Sequence, residues 1–97
     1  MNDLTIVAHI FAHSGDEHLV RAELEKLVNI TRAEEGCLRY DLHSDNEDPL
    51  HFMFYETWTS RVLWQQHMNT PHLAAYSAAT EGKVRQFTLH EMQKLAP

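Results

Sequence analysis

The sequence predicts a single α+β domain, residues 1–97, in which strands and helices follow in the order β-α-β-β-α-β. Three features support this prediction. Short segments alternate apolar and polar side chains, as half-buried strands do. Longer segments place apolar residues three and four positions apart, as amphipathic helices do. Most Gly and Pro residues stand between these segments, where they end helices or form turns.

The first strand is predicted over Leu4–Ala12, where apolar residues occupy both alternating faces. Such a strand is typically covered on both sides. A helix is expected next, because Ser14 and Glu17 have the spacing of a capping box. Gly36 stands where a glycine commonly ends a helix. The apolar stripe of this helix comprises Val20, Leu24, Leu27, Val28 and Thr31.

The next two strands form a predicted hairpin. Cys37–Ser44 alternates cleanly, and His51–Trp58 is apolar on both faces. Between them, the sequence SDNEDPL has the composition of a turn. The apolar face of the first of these strands is predicted to carry Leu38, Tyr40 and Leu42.

The second helical segment is predicted to break in two. Ser60 caps a short helix, and Thr70 followed by Pro71 opens another that ends near Gly82. A last strand is predicted over Val84–Leu95. This order is that of the ferredoxin-like fold, an antiparallel sheet with helices on one face.

The arrangement leaves the other face of the sheet bare, although the first and third strands are apolar on both faces. A monomer would then expose a large apolar patch, and such patches mark interfaces. We therefore expect a symmetric homodimer packed sheet to sheet, a dimeric α+β barrel. The alternative is that the extra apolar residues pack at edges and in loops.

The charge balance argues against nucleic acid and membrane partners. The formal net charge is −6, and the eight Lys and Arg residues are scattered singly, whereas phosphate binding needs a basic stripe. The N-terminal apolar run is short and resembles a strand more than a signal peptide. No segment approaches the roughly 20 apolar residues of a membrane-spanning helix. One cysteine, Cys37, cannot form an internal disulfide, and these features together predict a cytoplasmic protein.

Candidate functional residues concentrate in the segment WQQHMNTPHLAAY. His67 lies on the apolar face of the short helix, while His72 and Tyr76 lie one turn apart on the next helix. The small side chains of Ala75 and Ala79 would leave room beside them. An apolar pocket edged by imidazole, phenol and indole groups suits a flat aromatic ligand with a few polar groups.

Glu56 is a further candidate, because it shares a strand face with Phe54 and Trp58. A carboxylate in apolar surroundings must be paired, hydrogen-bonded or protonated. Arg39 on the neighbouring strand, or an imidazole, is its expected partner.

Each of these residues also has a plainer structural interpretation. A histidine on an apolar helix face often hydrogen-bonds within the core, and Tyr76 and Trp58 could simply pack there. His72, beside Pro71, could cap a helix or be exposed. Eight histidines raise the question of a metal, but there is no HExxH motif or Cys/His cluster, and a helix break separates His67 from His72. We therefore expect no bound metal.

Three segments resemble the antibiotic biosynthesis monooxygenase family. They are TRAEEGCLRYDLHSD, FYETW and WQQHMNTPHLAAY. Their order and spacing are similar to the family pattern of E-x-G-C, a strand, aromatic-E-x-W and H-x-x-T-P-H, over nearly the whole chain. The resemblance implies an enzyme that oxidises a small electron-rich aromatic, such as a quinol, phenol or anthrone, with O₂ and without metal, flavin or haem.

The resemblance also implies roles for the candidate residues. His67 or His72 would act as the base, since a histidine near its usual pKa suits proton abstraction, and Glu56 would orient it. The expected substrate-binding residues are Trp58, Tyr76, Trp64 and Arg39.

Three alternatives remain open. Haem-degrading members of the family use an asparagine, a tryptophan and a histidine at positions that correspond here to His9, His67 and Ser77, so that match fails. An isomerase of a small phosphorylated sugar-like quorum signal shares the motifs, but its phosphate would need convergent basic residues, and only Arg39, Arg61 and Arg85 are candidates. A ligand-binding dimer without turnover is the third alternative.

Overall fold

A computed structural model describes residues 3–96 and confirms the α+β, ferredoxin-like prediction. The four strands are β1 (Leu4–Ala12), β2 (Cys37–Ser44), β3 (His51–Trp58) and β4 (Val84–Gln93). The three helices are α1 (Glu17–Arg32), α2 (Arg61–Met68) and α3 (Pro71–Ala79). The strands form one antiparallel sheet in the order β2-β3-β1-β4.

The core lies between one face of this sheet and the helices. Alternate residues of β1, from Ile6 to Ala12, are buried, and the intervening residues are partly exposed, which is the period-two pattern of a sheet with one packed face. The helices contribute to the same core through Val20, Leu24, Leu27 and Trp64.

The start of α1 differs from the sequence prediction. Its N-cap residue is Asp16, without a side-chain cap, so the capping box assigned to Ser14 is wrong. Glu17 does reach back, but its Oε1 accepts a hydrogen bond from the Gly15 N–H at 2.7 Å. Ser14 is exposed before a glycine with φ of +96°, and the chain turns there before the helix begins.

The end of α1 also differs, because the helix is capped at Ala33, three residues before Gly36. The glycine is needed for another reason. Its φ is +86°, and a Cβ there would lie 2.5 Å from Leu63 Cδ1 and 2.9 Å from Thr59 Oγ1. Gly36 therefore allows the α1–β2 connection to pack directly against α2, and this contact fixes the position of Glu34 relative to that helix.

The second helical segment breaks where the sequence predicts. Ser60 caps α2 by accepting a hydrogen bond from the Leu63 N–H at 3.2 Å. Thr70 is the N-cap residue of α3 and Pro71 is its first residue. The Thr70 hydroxyl donates to the His67 carbonyl at 2.7 Å, which ties the end of α2 to the start of α3.

One register prediction in β2 is wrong. Leu38 is 57% exposed rather than packed with Tyr40, because the pairing of β2 with β3 shifts between Cys37 and Arg39. No helix in the described part of the chain is long and apolar enough to cross a membrane.

Candidate active site

A cavity of about 640 Å³ lies between the helix-covered face of the sheet and α3. Its walls are mainly apolar, and its polar or aromatic lining residues include Tyr40 on β2, Phe54 and Glu56 on β3, His67 on α2 and Tyr76 on α3. Phe87 and Leu89 of β4 lie at its edge. A cavity of this kind suits an aromatic molecule held by a few polar contacts.

His67 forms part of the wall of this cavity. The residue is only 2% exposed, and its ring packs 4.8 Å from the Trp58 ring and 5.5 Å, edge-on, from the Tyr40 ring. Sequence periodicity predicted the apolar environment of this histidine, and the structure confirms it. Trp58 is fully buried and supports the imidazole without reaching the cavity.

Glu34 holds the imidazole of His67 and was missed by the sequence reasoning. It lies in the turn after α1, and its Oε2 is 2.7 Å from His67 Nδ1. The same oxygen is 2.7 Å from His72 Nε2. The signal was present in the E-x-G-C segment, whose first residue is Glu34, but nothing local to that turn indicated a contact with histidines more than 30 positions away.

These contacts fix which ring nitrogen can act as a base. A carboxylate only accepts hydrogen bonds, so His67 donates through Nδ1 and His72 donates through Nε2. Glu34 is not among the residues that line the cavity, whereas His67 is. Nε2 of His67 has no hydrogen-bond partner among the described side chains and remains as the nitrogen available to a molecule in the cavity.

Burial is the main influence on the protonation of His67, and it lowers the pKa of the imidazole. The Glu34 carboxylate acts in the opposite direction, and the nearby His72 adds to the lowering. The group is therefore neutral near pH 7, with a lone pair at Nε2, and Glu34 is placed to stabilise the imidazolium that forms when a proton is accepted.

Glu56 has a different partner from those expected. The Trp58 indole Nε1 donates to Glu56 Oε1 at 2.9 Å, so neither Arg39 nor an imidazole pairs with it. The predicted role of orienting a histidine belongs, by geometry, to Glu34. Burial raises the pKa of Glu56 to about 7, and the charge of Glu34 adds to the rise. A carboxyl group that exchanges its proton near pH 7 can donate or accept a hydrogen bond at the cavity wall.

The predicted substrate-binding residues are only partly brought together. Tyr76 lines the cavity, whereas Trp64 and Trp58 lie in the core behind it. Arg39 is on the opposite face of the sheet, because its neighbour Tyr40, paired with Glu56, takes the cavity side. There the Arg39 guanidinium lies 5.3 Å from the Tyr55 ring centroid. The prediction that Arg39 binds substrate at this site is therefore wrong.

The inward face of α3 also differs from the predicted stripe. His72, Leu73 and Tyr76 are partly buried, while Ala75 and Ala79 are exposed. The two alanines therefore do not provide space beside the histidine. His72 itself is oriented toward Glu34 rather than toward the cavity.

Cys37 is the first residue of β2, three positions after Glu34. Burial raises the pKa of its thiol to about 11, and the charges of Glu56 and Glu34 contribute to the rise. The thiol therefore stays protonated near neutral pH and is a poor nucleophile.

The chain is similar in sequence and fold to known proteins of one family. The family model described as antibiotic biosynthesis monooxygenase matches residues 3–79. The chain is 30% identical over 100 residues to the Escherichia coli K12 protein named "Probable quinol monooxygenase YgiN", covering 93% of this chain and 96% of that protein. The crystal structure of PA3566 from Pseudomonas aeruginosa superposes with a TM-score of 0.95 at 34% identity, covering 99% and 97% of the two chains. A second crystal structure, described as an antibiotic biosynthesis monooxygenase, has a TM-score of 0.89 at 32% identity and covers 96% and 99%.

Proposed function

Since the chain belongs to the antibiotic biosynthesis monooxygenase family, we propose that it is a cofactor-independent monooxygenase of a small electron-rich aromatic, of the quinol, phenol or anthrone type. The observation that carries this proposal is the placement of His67, whose Nδ1 is held by Glu34 while its ring lines the apolar cavity. The printed name of the YgiN relative, a quinol monooxygenase, supports the same substrate class.

In the proposed reaction, His67 Nε2 removes a proton from the bound aromatic, either from a phenol or from the reactive methylene of an anthrone. The resulting anion transfers one electron to O₂, and the radical pair combines to form a carbon–oxygen bond. The imidazolium returns its proton to give a hydroperoxide. His67 Nε2 then removes a second proton, from the carbon that bears the hydroperoxide; the C–H electron pair forms the C=O bond and the O–O bond breaks. One oxygen atom stays in the product, and the released hydroxide takes the proton from the imidazolium and leaves as water. The substrate supplies all four electrons.

The protein contributes position, charge and a dry environment. Glu34 stabilises the imidazolium through a charge-assisted hydrogen bond. Glu56 and Tyr76 are among the polar residues that line the cavity, and we propose that they contact oxygen atoms of the substrate. Tyr40 and Phe54, whose rings stack with centroids 4.3 Å apart, offer an aromatic wall. Exclusion of water prevents protonation of the anion before it meets O₂.

The test is oxygen uptake by EDTA-treated protein with a panel of anthrones and hydroquinones. Uptake above the autoxidation rate that falls by about 100-fold or more in His67→Ala supports the proposal, because general bases contribute about 10²–10⁴-fold. The control is His18→Ala, which changes an exposed histidine on α1. Unchanged turnover in His67→Ala, or no uptake with any member of the panel, would refute it.

We also propose that the protein is a homodimer joined through the helix-free face of the sheet. The partly exposed residues of β1 on that face include Val7, His9 and Phe11. Tyr55, which pairs with Val7, and Met92, which pairs with Thr5, lie on the same face and are 36% and 53% exposed. Sedimentation analysis is expected to give a dimer, and Val7→Asp is expected to give a folded monomer. A monomeric wild-type protein at micromolar concentration would contradict this arrangement.

A further inference from the structure

We infer that Glu34, His67 and His72 form a binding site for one divalent transition-metal ion, and that the bound ion prevents His67 from acting as a base. The inference deepens the proposed function and rests on it for the inhibitory consequence, but not for metal binding itself. The site lies on the outer side of His67, away from the cavity. It departs from the expectation of no bound metal, because the fold brings His67 and His72 together at Glu34 across the helix break.

The three side chains converge as metal ligands do. Glu34 Oε2, His67 Nδ1 and His72 Nε2 all lie within 4.8 Å of one another, and the carboxylate oxygen is 2.7 Å from each nitrogen. Ligand atoms of a tetrahedral zinc site, each about 2.0–2.1 Å from the metal, are roughly 3.3 Å apart. Side-chain adjustments of about 1.5 Å or less would therefore convert the hydrogen-bonded cluster into a coordination site.

Separate structural elements hold these ligands in place. Glu34 belongs to the turn that Gly36 packs against α2, His67 to the last turn of α2, and His72 to the first turn of α3. The hydrogen bond from Thr70 to the His67 carbonyl fixes the connection between the two helices. A site whose ligands are already positioned loses little conformational entropy when an ion binds.

The donor set selects the class of ion. Two imidazoles and one carboxylate suit Zn²⁺, Co²⁺, Ni²⁺ or Fe²⁺, whereas Mg²⁺ and Ca²⁺ prefer oxygen ligands throughout. Access from solvent is available, because the side chains of Glu34 and His72 are each 16% exposed. The remaining coordination positions would be taken by water on that side.

Coordination changes the state of His67 at the cavity. An ion on Nδ1 occupies the lone pair there, so a neutral imidazole must carry its remaining proton on Nε2. Nε2 then donates a hydrogen bond instead of accepting a proton, and Glu34 no longer stabilises an imidazolium. The hydrogen-bonded state and the metal-bound state are therefore alternatives, and only the first can perform the proposed proton abstraction.

A second histidine–carboxylate cluster on the opposite sheet face provides a comparison. His51 uses Nδ1 to contact Asp45 Oδ2 at 2.9 Å and Nε2 to contact His9 Nδ1 at 2.8 Å. Because the two contacts involve opposite sides of one ring, these groups do not converge on a point that one ion could occupy. His51→Ala is therefore a matched control for the loss of a histidine.

The direct test is titration of the EDTA-treated, dialysed protein with Co²⁺, followed by the visible absorption of the ion and by competition with Zn²⁺. We expect one Co²⁺ per chain, with affinity reduced by about 100-fold or more in Glu34→Gln and in His72→Ala, since even outer-shell partners of metal ligands contribute 10–100-fold. His51→Ala and Cys37→Ser should bind as the wild type does. Circular dichroism of each variant establishes that it is folded.

The outcomes separate this inference from the proposed function, because Co²⁺ absorption requires no substrate. Absence of a stoichiometric Co²⁺ signal, or equal binding by wild type and Glu34→Gln, would overturn the site whatever the oxygen-uptake assay shows. In that assay, saturating Zn²⁺ should abolish turnover by wild type. Turnover that rises with added metal would overturn the exclusion of base chemistry.

Discussion

Replacing Glu34 with Gln tests the hydrogen bonds by which Glu34 holds His67 and His72. The substitution keeps the size and one accepting oxygen, but removes the charge opposite His67 Nδ1 and His72 Nε2, both 2.7 Å from Oε2. A hydrogen bond to a charged group contributes about 1.5–3 kcal/mol and a neutral one about 0.5–1.5 kcal/mol. The His67 imidazolium would therefore lose about 1–2 kcal/mol of stabilisation when the charged hydrogen bond becomes a neutral one. This loss should lower kcat roughly 5- to 30-fold.

The assay is steady-state oxygen uptake with a hydroquinone in EDTA between pH 5 and 9. A positioning role also predicts a change that a merely structural role would not produce. Because Glu34 raises the pKa of His67 against the lowering by burial, the acid limb of the pH profile should move to lower pH in Glu34→Gln. A variant with wild-type kcat, or with reduced kcat and an unmoved acid limb, would refute the assignment of Glu34 to His67.

Two further predictions concern stability. Gly36→Ala should destabilise the fold by about 2–4 kcal/mol in urea denaturation, because it combines a positive φ with a Cβ 2.5 Å from Leu63 Cδ1. The control Gly82→Ala, at a position with φ of +75° and nothing within 4 Å of the added Cβ, should lose only about 1–2 kcal/mol of folding stability. Equal losses in the two variants would contradict the packing argument. Burial raises the pKa of Glu56 from 4.5 to about 7, so the folded state holds this proton more tightly than the unfolded state. Folding stability should therefore fall by about 3 kcal/mol as pH rises from about 4.5 through about 7, and level off above pH 7. Glu56→Gln should remove this decline, and an unchanged pH dependence of stability in that variant would show that Glu56 is not its source.

The parts of the site that sequence could predict are those set by local periodicity. His67 repeats with Trp64 on one face of α2, and Glu56 alternates with Phe54 on β3, so their burial followed from spacing alone. The hairpin and the break before Pro71 followed from turn and capping residues for the same reason.

The parts that sequence could not predict depend on contacts between distant segments. Glu34 meets His72 across 38 positions, and neither residue has a local pattern that requires the other. The error with Arg39 arose from treating a neighbouring strand as a potential partner without the register, which pairs Tyr40 rather than Arg39 with Glu56. The capping box failed because a turn at Gly15 delays the start of α1.

Isotopic labelling of the product under ¹⁸O₂, with EDTA-treated protein, distinguishes oxygenation initiated by His67 from autoxidation. We expect one labelled oxygen atom per product molecule for wild type, and product only at the autoxidation rate for His67→Ala. Unlabelled product, or label incorporated at the wild-type rate without His67, would contradict oxygenation initiated by this histidine.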